Sequence, residues 1–179
     1  MESSDGAIWF AVEGREAFRL DMTGDRWSTY KGLHYQGESP DGMRWFVERR
    51  DFLQSTFDGV VRYDPASGTW RRYTEPDGLM NQASGILVSR SGDVWAVGGQ
   101  DSVSAIARYV EDEGDGHWVT RTYPDLSWNI RSNALLEALD GDLWFSSELR
   151  WRVDAGQKGG LLQIDPERFE SGEAIRHAP

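Results

Sequence analysis

The stretch ALDGDLWFSS at residues 138–147 sets a turn dipeptide, Asp140-Gly141, just ahead of an unbroken apolar run, Leu143-Trp144-Phe145. The same order occurs three more times, as SSDGAIWFAV at 3–12, SPDGMRWFVE at 39–48 and SRSGDVWAVG at 89–98. The tryptophans of the four copies, Trp9, Trp45, Trp95 and Trp144, are 36, 50 and 49 residues apart, and periods of this size mark repeated supersecondary units. Each copy opens on an Asp-Gly or Ser-Gly pair, which accepts the positive φ of a tight turn. The residues that follow are apolar without alternation, so the strand they form has both faces buried.

Three further strand signals recur around each copy. A second apolar segment follows in FRLD at 18–21, VRYDP at 61–65, ARYVE at 107–111 and LQIDP at 162–166. A third, with aromatics at its ends, is RWSTY at 26–30, TWRRY at 69–73 and HWVTRTY at 117–123, and EAIRHAP closes the fourth copy. Before the Asp-Gly turn comes SGILVSR at 84–90 or NALLEAL at 133–139, with a weaker counterpart at 33–37. Four short strands per unit, dry on both sides, predict an all-β fold, a β-propeller of four-stranded antiparallel blades. A β-sandwich is the alternative, but its outer faces should show polar alternation. The expected blades are 1–31, 32–74, 75–124 and 125–179, with the four recurrent indoles in the seams between them.

Closure leaves one strand short. Copy one starts at its own turn, and Met1 to Ser4 are too few to supply its inner strand, so fifteen strands stand where sixteen would complete four blades. The expectation is a partial propeller, or one that closes through further blades or a second copy, because an open edge invites pairing. A closed four-bladed monomer is the competing outcome.

Composition narrows the function classes. The 179 residues carry a formal charge of -11, 39% hydrophobic residues and 9 Trp, which describes a folded acidic domain rather than a disordered chain. That charge disfavours nucleic acid and anionic membrane surfaces as partners, since both require a positive footprint. With 0 Cys there is no disulfide, thiolate metal site or Cys nucleophile, and no compartment follows from it. No apolar run reaches the ~20 residues that span a bilayer, and MESSDGAIW lacks the order of a signal peptide. The reading is a cytosolic chain, or a piece whose targeting segment lies elsewhere.

WRRYTEPDGLMNQASGILVSRSGDVWAVG at 70–98 resembles the two-component regulator propeller repeat, and the resemblance extends over four copies, strongest in the third and fourth. It implies an extracytoplasmic, periplasmic sensor portion of a bacterial histidine kinase, often one that recognises oligosaccharides. Asp-Gly-Leu is complete only at 77–79, and copies two and four carry insertions. DGAIWFAVEG and GGLLQIDP also resemble streptogramin lyase propellers, which use His and Glu with a divalent metal.

Loop lengths place the candidate site. The connections between second and third strands of each blade vary, with long ones at 48–59 and 147–160, and variable loops are where scaffolds carry recognition residues. They offer Arg49, Arg50, Phe52, Arg150, Trp151 and Arg152, joined on the same face by His34, Tyr35 and Trp128 from the connections between blades. Arg forks beside aromatic plates suit a small-molecule ligand, a sugar or a carboxylate. His34, His117 and His177 are scattered, so no metal pair and no cofactor is expected. The run EDEGDG at 111–116 reads as a solvated turn, without the ligand order of a calcium loop. No catalytic residue is assigned, although a glycosidase-type carboxylate pair is a matter of spatial separation that spacing in sequence does not decide.

Overall fold

The computed structural model describes residues 1–12, 16–51, 56–101, 103–127, 135–147 and 159–177. These residues form fifteen strands in four antiparallel sheets. Sheet 1 contains β1 (Ile8–Val12), β2 (Glu16–Asp21) and β3 (Arg26–Lys31). Sheet 2 contains β4 (Leu33–Glu38), β5 (Arg44–Asp51), β6 (Thr56–Asp64) and β7 (Thr69–Tyr73), and sheet 3 contains β8 (Gln82–Val88), β9 (Val94–Gln100), β10 (Val103–Val110) and β11 (His117–Ser127). Sheet 4 contains β12 (Leu135–Glu137), β13 (Leu143–Ser147), β14 (Gly160–Ile164) and β15 (Ile175–His177). Strands follow one another in chain order within every sheet, and the sheets stack through three apolar clusters. The architecture is a partial β-propeller. The inner position of sheet 1 holds only a stub, in which Glu2 bridges Ile8 and Met1 exchanges two backbone hydrogen bonds with Trp9, at 2.7 and 2.9 Å.

The recurrent turn joins the inner strand of each blade to the next strand. In all four copies the glycine N–H returns to the carbonyl three residues earlier, from Gly6 to Ser3, Gly42 to Ser39, Gly92 to Ser89 and Gly141 to Ala138. The glycine φ values of +73, +85, +96 and +96° are the left-handed conformation that selects Gly. In the first two copies the turn also anchors its tryptophan. Ser39 Oγ donates to Asp41 Oδ1 (2.5 Å) and accepts from Trp45 Nε1 (2.9 Å). Ser3 does the same between Asp5 (2.6 Å) and Trp9 (3.2 Å). The third copy has Ser91 in place of the Asp, Ser89 Oγ lies 2.7 Å from Ser91 Oγ, and Trp95 Nε1 has no partner among the described residues. The fourth copy has Ala138 in place of the Ser.

Alternation then sends each indole towards the following sheet. Trp9, Trp45 and Trp95 are 2, 1 and 0% exposed. Trp9 stacks on Tyr35 of β4 (4.7 Å, 18°) and meets Phe46 edge-on at 5.5 Å. Trp45 meets Tyr109 and Trp118 edge-on, at 5.0 and 5.9 Å. It fits because the facing positions of sheet 3 are small: Ala83, Ala96, Ala105 and Ala107. Trp95 packs against Leu143, Phe145 and Leu162, and Phe169 closes on it at 4.9 Å and 86°. Phe169 comes from a short 3-10 turn, Pro166–Ser171, that the repeat pattern does not announce. Trp144 departs from expectation. It is only half-buried and stacks on His177 at 5.0 Å, because its face of sheet 4 meets no following sheet among the described residues.

Polar groups lock the seams at their turn ends. Ser4 N–H donates to both oxygens of Glu38, at 3.1 and 3.3 Å, and Arg90 N–H donates to Glu137 at 2.8 Å. In each case the carboxylate belongs to the last inner-strand residue of the next blade. Between sheets 2 and 3 both partners are exchanged together: Pro40 has no N–H, Val88 has no carboxylate, and the Pro40 ring packs against Gly92. Asp5 ties the first seam to both sheets, pairing with Arg19 (2.8 Å) and Arg44 (2.6 Å). Partial burial pushes the Asp5 carboxyl up, but hydrogen bonds from Ser3, Arg19 and Arg44 outweigh it and hold the group well below the usual carboxylate range.

Two outcomes follow from this packing. Trp45→Ala costs about 3 to 5 kcal/mol in chemical denaturation, and Trp144→Ala costs clearly less, since only the former opens a closed cavity. A carboxylate with a depressed pKa stabilises the fold above its ordinary 3.8 and loses that contribution as pH falls through its folded-state value. Thermal melts of Asp5→Asn therefore show a lowered midpoint at neutral pH, and the gap to the parent chain narrows in strong acid.

Candidate ligand-binding face

Antiparallel order brings the β5–β6, β9–β10 and β13–β14 connections to the same face as the links between blades. The described part of that face is rich in amides. Asn81 precedes β8, Gln100 ends β9, and Asp101 turns the chain towards β10 with φ +50°, a left-handed conformation uncommon outside glycine. The three side chains form one cluster. Gln100 Oε1 accepts from Asn81 N–H (2.8 Å), while Asn81 Nδ2 and Gln100 Nε2 each donate to a different Asp101 oxygen at 3.0 Å. Both Asp101 oxygens are thereby engaged and oriented. Asn81 Oδ1 is shielded from solvent and has no hydrogen-bond partner among the described residues.

The inner strands of sheets 2 and 3 are also stitched together. Both carry a bulge, at Gln36 in β4 and at Ser84 in β8. Gln36 Oε1 accepts from Ile86 N–H of β8 at 3.1 Å, and its Nε2 donates to His34 Nδ1 at 2.7 Å. The bulge frees the Gln36 side chain to cap a backbone donor that the inner edge of β8 would otherwise leave bare.

The expected site residues fall into three groups. His34 lies near the start of β4 rather than in a loop, where its Nδ1 accepts from Gln36. Tyr35 is corrected: it lies in the same strand but points the other way, 2% exposed and stacked on Trp9, because strand alternation sends it into the first seam. Its hydroxyl pKa is pushed up to about 12, chiefly by burial. Arg49 and Arg50 fall within β5, at its end on this face. Their side chains, and Phe52, Trp128, Arg150, Trp151 and Arg152 altogether, lie outside the described residues. Asn81, Gln100 and Asp101 were not anticipated. The signal was present in MNQ at 80–82 and GGQD at 98–101, where amides crowd the ends of two apolar strands.

The acidic run at 111–116 is a self-capped turn. The Asp112 carboxylate accepts from Gly114 N–H (2.8 Å) and Gly116 N–H (3.1 Å) and pairs with His117 at 3.1 Å. Among the described residues no group of three or more His, Cys, Asp or Glu side chains is arranged to hold a metal ion.

With this geometry in place, comparison with solved structures shows the same fold elsewhere. The chain is a propeller-type module. Over 98% of its length it superposes on 61% of the X-ray structure of a protein assigned as a gluconolactonase, with TM-score 0.57 and 15% sequence identity. Over 100% of its length it superposes on 26% of PorZ, an essential bacterial surface component of the type-IX secretion system of the human oral-microbiomic Porphyromonas gingivalis, with TM-score 0.61 and 14% identity. The module thus spans about three fifths of one neighbour and about a quarter of the other, and at these identities the likeness is one of fold. No family model and no curated protein matches the sequence.

The amide cluster depends on a close backbone approach. A Cβ on Gly98 would lie 1.8 Å from the carbonyl oxygen of Gln82, which follows Asn81 directly. Gly98→Ala must push β8 away from β9, and equilibrium denaturation should register a loss of about 1 to 3 kcal/mol.

Proposed function

We propose that the chain is a ligand-binding or sensory propeller module, similar in role to the sensor portion of two-component regulators. Its ligand, a carbohydrate or a small carboxylate, docks on the loop-bearing face. The observation that supports this reading is the convergence there of Asn81, Gln100 and Asp101 with fixed hydrogen-bonding directions. Rigid amides and a carboxylate suit the paired donors and acceptors of a polyol. The sequence adds Arg49, Arg50, Arg150 and Arg152 with Phe52, Trp128 and Trp151 in and around the connections of the same face. Those residues would supply stacking planes and bidentate forks. The surface role of PorZ fits a module of this kind on the outside of a bacterial cell.

A second reading takes its support from the gluconolactonase neighbour: hydrolysis of a sugar lactone. It rests on a likeness of fold at 15% identity, so it ranks below binding. A third, a protein-interaction scaffold, draws on the open sheet faces considered below.

Calorimetry against neutral oligosaccharides, uronate oligosaccharides and dicarboxylates separates these readings. Binding by the parent chain, weakened at least about tenfold in Asn81→Ala and Asp101→Ala with unchanged melting, supports the proposal. Failure of every probe overturns it. Turnover of glucono-δ-lactone in the presence of divalent metal would replace it with the enzymatic reading.

A further inference from the structure

The two ends of the stack carry opposite halves of the same seam. On sheet 4, the face that points away from sheet 3 holds Trp144, Leu136, Leu161 and Ile175, and Leu139 in the adjoining turn is 96% exposed. By register this is the face that carries Trp9, Trp45 and Trp95 in the buried seams. On sheet 1, the face that points away from sheet 2 holds Ile8, Phe10, Phe18, Leu20 and Trp27, with Trp27 59% exposed and its ring tilted against Phe10 at 5.7 Å. By register this is the face that covers an indole in sheets 2, 3 and 4: Phe10 matches Phe46 and Phe145, Phe18 matches Val61 and Leu162, and Trp27 matches Trp70 and Trp118.

The turn-end lock gives a second, polar match. In the internal seams an N–H at the second turn position meets a Glu at the end of the next inner strand, or both are replaced together by Pro40 and Val88. At the open end of sheet 4 the second turn position is Leu139, whose N–H has no partner among the described residues. At the open end of sheet 1 the residue preceding the turn, held in the inner-strand position by its bridge to Ile8, is Glu2. Glu2 therefore stands where Glu38 and Glu137 stand in their own blades.

We propose that the open face of sheet 4 docks the open face of sheet 1 of a second copy of this chain, head to tail. Phe10 and Trp27 of one copy cover Trp144 and Leu136 of the other, and Glu2 accepts from Leu139 N–H. The faces differ, so the contact is heterologous and can extend past a dimer to a ring or filament. The charge of -11 on each copy opposes association, which added salt therefore strengthens.

Sedimentation velocity of the 179-residue chain over a range of concentrations should show dimers and larger species. Trp27→Glu and Leu136→Glu change exposed side chains, so both variants keep the parent melting behaviour, and each alone sediments as a monomer. Mixing them restores a heterodimer, because the intact sheet 4 face of the first meets the intact sheet 1 face of the second. Glu2→Gln weakens parent self-association by about tenfold. A parent chain that stays monomeric throughout, or a mixture of the two variants that fails to associate, overturns the proposal. Neither result bears on ligand binding by the loop face.

Discussion

The structure depends on how each tight turn aims its tryptophan. The left-handed glycine reverses the chain, and in the first two blades a serine hydroxyl shared with an aspartate receives the indole N–H, so the ring leaves the turn in one orientation. Strand alternation carries that orientation to the following sheet. Because an indole is broad and flat, it fills a seam that aliphatic side chains would leave porous, and for Trp9 and Trp45 the N–H is matched within the same repeat instead of by the neighbouring blade. Seam geometry is therefore set inside each repeat, and stacking adds only complementary surface.

That economy explains where the seams differ. The first is aromatic, with Tyr35 and Phe46 facing Trp9. The second gains room from alanines in sheet 3 and admits Trp118 as well as Trp45. At its rim Arg62 bonds the Tyr109 hydroxyl at 2.5 Å, and both Tyr73 and Tyr109 donate to the Asp115 carbonyl, at 2.6 and 3.1 Å. The third borrows Phe169 from a 3-10 turn. Each solution fills a similar wedge with a different division of volume, as cores tolerate when total volume is conserved.

The repeat makes the fold legible in the sequence. Fifteen strands, their order and the short inner position of sheet 1 follow from spacing, turn chemistry and unbroken apolar runs, which are local properties. Burial of Trp144 was misjudged because it depends on a neighbour beyond the repeat itself. Tyr35 is expected on the connection between blades, but its partner Trp9 lies 26 residues away and only the stacking of sheets 1 and 2 turns it into the seam. The amide cluster escaped notice for a similar reason: Asn81 and Asp101 are 20 residues apart, and only the pairing of β8 with β9 brings them together. What the sequence states through periodicity is readable from it, whereas contacts made by the pairing of distant segments require the fold.

The paired exchange of Pro40 and Val88 for an N–H and a carboxylate also governs order along the stack. A blade ending its inner strand in glutamate, set behind Pro40, would lay an anion against a ring with nothing to donate. A blade ending in valine, set behind Ser4 or Arg90, would leave the amide proton to water instead of a carboxylate. Each junction thus carries an address that favours some successors over others, so the order of blades along the stack is reinforced by more than chain connectivity.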